Sequence, residues 1–343
     1  MRSQWSTSVP ARACYSAAAL MLCLAMALAA PPAVALTLKI ATISPDGTTW
    51  MKELRKAADL IKTRTDGRVK LRFYPGGVMG SDKNVLRKIR IGQLHGGAMT
   101  GGGLEQIYFD SQIYSLPFAF RSFPEVDYVR SRMDDMILHG LYERGYVSFG
   151  LAEGGFAYLM SEEPVRRRAD LEGLKVWIPE GDTLSQLAFE SIGISPTPLP
   201  LTDVLTGLQT GLIDTVAASP MGAIALQWHT RVKYVTDIPL MYLYGVLIIQ
   251  RKAFERLQTG DQAVVREVLE ATFRRLDRIS REENRQAREA LVNQGIRFVT
   301  PASEEQARWY ELVRRAVIDE NLFTPHVLQT FQKHLNEFRA RHP

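Results

Sequence analysis

Residues Gly173–Pro220 read GLKVWIPEGDTLSQLAFESIGISPTPLPLTDVLTGLQTGLIDTVAASP, and their punctuation marks out a small α/β unit. The apolar-rich run Lys175–Ile178 predicts a strand, closed by Pro179 and followed by Gly181-Asp182, a pair suited to capping a helix. From Thr183 onward Leu184, Leu187, Ala188 and Ile192 recur at helical spacing, and Gly193 stops them. Pro196, Pro198 and Pro200 force an extended link, because proline fixes φ and lacks a donor. Thr202 or Asp203 caps a second helix, VLTGLQTG, that stops at Gly211, and Leu212–Ala218 is a further strand. In such units ligands bind in the crevice outside the strand ends. Trp177, Glu180 and Ser219 stand at those ends and are the first candidates for function.

Upstream, Leu38–Ile43 and Val69–Tyr74 alternate as strands, with predicted helices after each: one with Trp50, Leu54, Ala57, Ala58 and Ile61 on a single face, the other over Asp82–Ile91. Strand, helix, strand, helix is the opening of a doubly wound sheet. The run His95–Gly103, HGGAMTGGG, reads as a flexible strand-end loop with Thr100 at its tip. No G-K-[ST] follows it and no G-x-G-x-x-G opens a helix, so a nucleotide site lacks its signature. The aromatic-rich Leu116–Phe123 is core with a turn. Pro124–Tyr142 is helical, and Tyr146–Glu153 is a strand ending at Gly154-Gly155-Phe156. Downstream come a helix over Ala223–Val235 and a strand over Tyr242–Gln250. Asp261–Asn293 reads as one helix that, at about 1.5 Å per residue, is roughly 50 Å long. A short strand Ile296–Val299 and two helices, from about Ser303 and Pro325, complete the chain.

Composition narrows the function. Arg2 and Arg12 precede the apolar Tyr15–Ala30, and Ala33-Val34-Ala35 is an A-x-A cleavage site, so residues 1–35 are expected to be a signal peptide removed on export to the periplasm. Cys14 and Cys23 leave with it. Removing the two leader arginines from 42 Lys+Arg leaves 40 against 37 Asp+Glu, too even a balance for a nucleic-acid partner. At 343 residues and 46% hydrophobic, the chain can build two domains. Neither G-x-S-x-G nor H-E-x-x-H occurs, and His326, His334 and His342 are spaced too widely for one helical turn to join them on a metal. No catalytic residue, metal ligand or cofactor is therefore expected. A binding role suits two α/β lobes that close around a ligand.

The runs GLKVWIP, PTPL and DVLTGLQTGLID, together with LKIATISPDGTTWMKE, GRVKLRFYPGGVMGSDKNVLRKIRIGQLHGG and SLPFAFRSFPEVDYV, resemble a known family across nearly the whole chain after the leader. It is the DctP-type solute-binding protein of tripartite ATP-independent periplasmic (TRAP) transporters. The resemblance implies an α/β fold of the type II periplasmic-binding-protein kind, with a hinged cleft and a long helix spanning both lobes. The expected division is lobe I over 36–157 plus 246–285 and lobe II over 158–245 plus 286–343. It also implies a small-molecule solute and, as partners, the small and large TRAP membrane subunits.

The resemblance is as informative where it breaks. Trp177 stands where most members carry an arginine that pairs with the ligand carboxylate, and tryptophan cannot form that bidentate pair. Phe156-Ala157 replaces a second cationic position, Thr100 an acid, and Ser219 an asparagine. The expected pocket is walled by Trp177, Phe156 and Tyr158, with Ser219, Thr100, Glu180 and Gln209 as sparse polar contacts. Trp177 as inter-lobe packing, and Glu180 as a charge favouring a helix start, stay open beside this. Apolar burial at about 25 cal/mol per Å² supplies affinity without an ion pair. The expected solute is hydrophobic or amphipathic, a longer-chain or aromatic monocarboxylate being one form. The alternatives are a C4-dicarboxylate or sialic-acid receptor and, from other classes, a periplasmic lipid- or protein-interaction module or an enzyme on the same scaffold.

Overall fold

In β1 (Leu36–Thr42), Leu38 and Ile40 point into the core while Lys39 faces water, the period of two that a half-buried strand requires. The computed structural model describes residues 35–342, so the predicted leader lies outside the described residues except for Ala35. The other strands are β2 (Val69–Tyr74), β3 (Gly96–Thr100), β4 (Tyr146–Ser161), β5 (Trp177–Pro179), β6 (Thr197–Leu199), β7 (Thr215–Ala218), β8 (Tyr234–Gln250) and β9 (Arg297–Val299). One seven-stranded sheet runs β2-β1-β3-β8-β4-β7, with β9 on β8, and β5-β6 form a small parallel pair. β1 is parallel to β2 and β3, whereas β8 is antiparallel to β3 and β4.

Ten helices surround these strands among the described residues: α1 (Thr49–Arg64), α2 (Asp82–Arg90), α3 (Phe123–Glu143), α4 (Thr183–Ser191), α5 (Val204–Thr210), α6 (Pro220–Ala225), α7 (Arg251–Phe254), α8 (Thr259–Asn293), α9 (Ser303–Asp319) and α10 (Pro325–Arg341). β8 is buried on both faces: Tyr244, Val246 and Ile248 join a core with α2, α3 and α10, while Leu247 and Ile249 join another with α1 and α8. A third core gathers β7, α5, Trp177 and Trp228. α8 reaches from the second core, through Val265, Leu269, Phe273 and Leu276, to the third, through Leu291.

Four sequence expectations need correction. The glycine run at 96–100 is not a loop but β3, buried between β1 and β8. A Cβ on Gly96 would overlap the Ile248 carbonyl and one on Gly97 would come within 2.9 Å of Val85, so these glycines permit close packing. The strand expected to stop at Glu153 continues to Ser161, because Gly150 and Gly155, with φ of 128° and 89°, bend it through irregularities in its pairing with β8. β8 starts at Tyr234, not Tyr242, and Pro239 lies where the register with β4 shifts, so its missing N–H interrupts no ladder bond. The helix expected over Ala223–Val235 breaks after Ala225; Gln227 takes φ of 61° and only a 3₁₀ turn, Trp228–Arg231, follows.

Candidate functional site

The strands deliver their C-terminal ends to one place. Thr100 closes β3, Pro179 closes β5 and Ala218 closes β7, and each borders a cavity of about 240 Å³. The chain after each end supplies the walls: the turn Gly101–Gly103, the segment Glu180–Asp182 leading into α4, and Ser219 leading into α6. Met241, Leu243 and Tyr244 of β8 and Ala157 of β4 form the floor, and Trp177 and Trp228 an aromatic side. A wider chamber of about 590 Å³ adjoins it, shares Thr100, Ser219, Leu243 and Tyr244, and extends to Trp50 and the α8 face at Glu283 and Gln286. Such a cleft, apolar with a few converging polar groups, has the character of a small-molecule site.

Three helix N-termini meet the smaller chamber, and those of α4 and α6 are already capped by the protein. Asp182 caps α4, accepting from Ser185 N at 3.0 Å, and Glu105 accepts from Thr183 N of the same turn at 3.2 Å. Ser219 caps α6 through Gly222 N at 3.2 Å. Asp82 opens α2 and accepts from both Thr100 N and Thr100 Oγ1, at 3.3 and 3.0 Å. Desolvation by the surrounding protein, against these neutral donors, pushes the Asp82 carboxyl up to about 6. The same desolvation raises Glu105 and Asp182 above the ordinary carboxylate range.

Four of the side-chain donors on the walls are committed to the protein. Trp177 Nε1 donates to the Leu199 carbonyl at 3.0 Å, the Tyr244 hydroxyl to the Ser111 carbonyl, and Ser115 Oγ to the Tyr242 carbonyl at 2.9 Å. Gln112 Nε2 is held by Glu105 at 3.2 Å. Among the described residues lining the two chambers there is no arginine, and Lys83 is the one cation.

Of the residues expected at the site, the fold brings Trp177, Thr100, Glu180 and Ser219 to this cavity. Trp177 serves packing as well: it is 3% exposed, belongs to the third core, and meets Trp228 edge to face at 5.1 Å. Phe156 and Tyr158 do not line it, because side chains alternate along a strand and Ala157 between them takes the cavity face of β4. Phe156 is instead packed 4.9 Å from Phe123 and 5.8 Å from Tyr242, and Tyr158 lies half-buried near Arg288. Gln209 is exposed on α5, whose inward face carries Val204, Gly207 and Leu208. Sequence reasoning missed Asp82, Glu105, Trp228 and Tyr244 as wall residues. Asp82 was visible only as a helix start, and the other three stand in no motif that marks a cleft.

A family model described as bacterial extracellular solute-binding protein, family 7, matches residues 40–321. The C4-dicarboxylate-binding periplasmic protein DctP of Rhodobacter capsulatus is 24% identical over 302 residues, covering 87% of this chain and 89% of that one. A solute-binding protein of Roseobacter denitrificans is 26% identical over 279 residues, covering 80% and 85%. Among solved structures, a TRAP periplasmic solute-binding protein of Xanthobacter autotrophicus with bound β-D-galacturonate superposes with a TM-score of 0.81 at 20% identity, covering 87% of this chain and 99% of that one. One from Shewanella oneidensis with bound succinate gives 0.81 at 17% identity, covering 88% and 100%. At these identities the structures establish the fold: α/β, of the two-lobed type II kind, with α8 spanning the lobes.

Proposed function

The chain belongs to family 7 of the bacterial extracellular solute-binding proteins, and from that premise we propose that its cleft captures an amphipathic organic solute in the periplasm and hands it to a small and a large TRAP membrane subunit. The class itself, an extracytoplasmic solute receptor of the TRAP type, follows from the family. The carrying observation for the solute is the smaller chamber, whose lining surface is mostly apolar, with Trp177, Trp228, Phe189, Leu226 and Met241 on its walls and no arginine among its residues. The lobes we assign, 36–157 plus 246–285 and 158–245 plus 286–343, divide β4 beside the pairing irregularity at Ala157/Leu159. Thr100 and the Gly101–Gly103 turn then face Trp177, Glu180 and Ser219 across the cleft.

The magnitude of apolar burial leaves work for the polar end of the solute. A small molecule burying about 200 Å² of apolar surface gains about 5 kcal/mol, which is roughly millimolar to sub-millimolar affinity before ordering costs. Directional contacts must supply the rest. The test is native mass spectrometry of the purified protein, followed by extraction and identification of what it carries. A bound small organic molecule with an apolar body supports the reading. A protein that carries nothing and gives no thermal shift against a broad panel of organic solutes would count against it, since ligand at 100 times its dissociation constant adds about 2.7 kcal/mol.

A further inference from the structure

Carboxylates dominate the charge of the smaller chamber. Asp82, Glu105, Glu180 and Asp182 line it against Lys83 alone, and the wider chamber adds Glu153 and Glu283 with no lysine or arginine. Two of the seats a ligand carboxylate would use are taken by the protein's own groups, Asp182 and Glu105 at the start of α4 and Ser219 at the start of α6, and Asp82 puts a negative charge at the start of α2. The wall donors Trp177, Tyr244, Ser115 and Thr100 are all committed to protein acceptors. An incoming carboxylate would meet mostly like charge.

We infer that the solute carries a cationic or strongly donating nitrogen, an amine or ammonium group on an apolar body, seated among Asp82, Glu105 and Glu180 in the chamber that Trp177 and Tyr244 also line. This rests on the reading of the cleft as the solute site. Cations are attracted to aromatic faces within about 6 Å, and more strongly when desolvated. A half-buried carboxylate whose hydrogen-bond donors are the neutral groups of Thr100, as at Asp82, is one that such a ligand complements, and its elevated titration agrees with a missing positive partner. The glycine turn serves the same arrangement. A Cβ on Gly103 would run into Asp82, so the bare backbone there lets that carboxylate approach the chamber.

A matched panel tests the charge separately from the receptor: benzyltrimethylammonium, benzyl alcohol and phenylacetate, titrated into the mature protein at pH 7.5 and low salt by tryptophan fluorescence and thermal shift. We expect the ammonium to bind at least tenfold tighter than phenylacetate. Asp82→Asn and Glu105→Gln should each reduce that affinity about tenfold or more. Glu180→Gln, an exposed position that caps no helix, should reduce it severalfold and keeps the test valid if a buried variant fails to fold. Phenylacetate binding as tightly as the ammonium, or an ammonium affinity indifferent to all three variants, overturns the inference and leaves the receptor reading standing. Silence toward all three probes overturns the inference as well. Silence together with no extractable solute removes the receptor reading too.

Discussion

Asp82 shows how much one side chain contributes to the character of the cleft. Its carboxyl is raised to about 6 in the folded protein by desolvation, against about 3.9 in the unfolded chain. The folded state therefore holds this proton more tightly, and the penalty for losing it grows as pH rises from about 4 to about 6. Lys83 beside it and Glu105, Glu180 and Asp182 around the chamber leave the sign unchanged, since the acids outnumber the single cation. Asp82→Asn, which retains an acceptor for Thr100, should stabilise the empty protein at pH 7.5 by roughly 1 to 3 kcal/mol, discounted for partial exposure, and change it little at pH 4. Urea denaturation at the two pH values reads this; an equal effect at both would show that charge is not the cause. Trp177 gives a second prediction at this scale. Trp177→Phe loses the Leu199 bond and should cost about 1 kcal/mol, whereas Trp177→Ala opens a cavity against Trp228 and should cost about 3 to 5. Part of this site was legible in the sequence. Trp177, Ser219, Glu180 and Thr100 sit at strand ends, and strand ends can be read from local pattern. Phe156, Ala157 and Tyr158 could not be sorted, because which of them faces the cleft depends on the parity of a strand whose bend is set by its partner. Glu105 and Trp228 reach the chamber from turns whose path only the packed core fixes.

At the scale of elements, glycine decides what the strands and turns can do, and each glycine means something different. Gly103 and Gly102 stand in one turn, yet a Cβ on Gly103 would sit 2.6 Å from Asp82 Cγ, while Gly102 has only Asp182 Oδ2 within reach at 4.0 Å. Gly103→Ala should therefore displace Asp82, break its bonds to Thr100 and cost about 1 to 3 kcal/mol. Gly102→Ala should be nearly neutral. Thermal melts of the pair decide it, and equal losses would mean that backbone strain, not the carboxylate, governs the turn. The same residue type explains where element boundaries escaped the sequence. Helix ends at Gly92, Gly193 and Gly211 were legible because each takes positive φ just past a helix, as a stop signal demands. Gly154-Gly155 carries the same local signal but a different outcome. There Asn284 of α8 donates to the Gly154 carbonyl at 3.1 Å and a Cβ on Gly155 would strike it, so the strand bends and continues under the long helix. Neither the pairing of β4 with β8 nor the packing of α8 on β4 is recorded in a local window.

Over the whole molecule, the connections leave little that could unfold alone. β4, β8 and α8 each cross from one core to another: β8 places Val235 in the third core, Tyr242 and Val246 in the first, and Leu247 and Ile249 in the second. Arg130 of α3 draws these elements together, bonding Asp277 of α8, the Tyr242 hydroxyl of β8 and the Leu151 carbonyl of β4. Arg281 of α8 adds Glu153 of β4 and Asp127 of α3. Asn284 extends the chain of contacts to the cleft, accepting from Met221 N at 3.2 Å in the first turn of α6, two residues beyond Ser219. Melting one lobe would strip the other of strands and of half a helix, which predicts one cooperative transition in place of two. Far-UV circular dichroism and tryptophan fluorescence should then trace coincident denaturation curves, because Trp50 reports near the second core and Trp177 and Trp228 report from the third. Asn284→Ala should lower the midpoint by an amount equivalent to about 1 to 3 kcal/mol, through the orphaned Gly154 and Met221 backbone groups, without splitting the transition. Two resolved transitions in the native protein would show that the crossing elements do not couple the cores. A split confined to Asn284→Ala would place the coupling at the junction of α8, β4 and α6, beside the wall that holds Ser219.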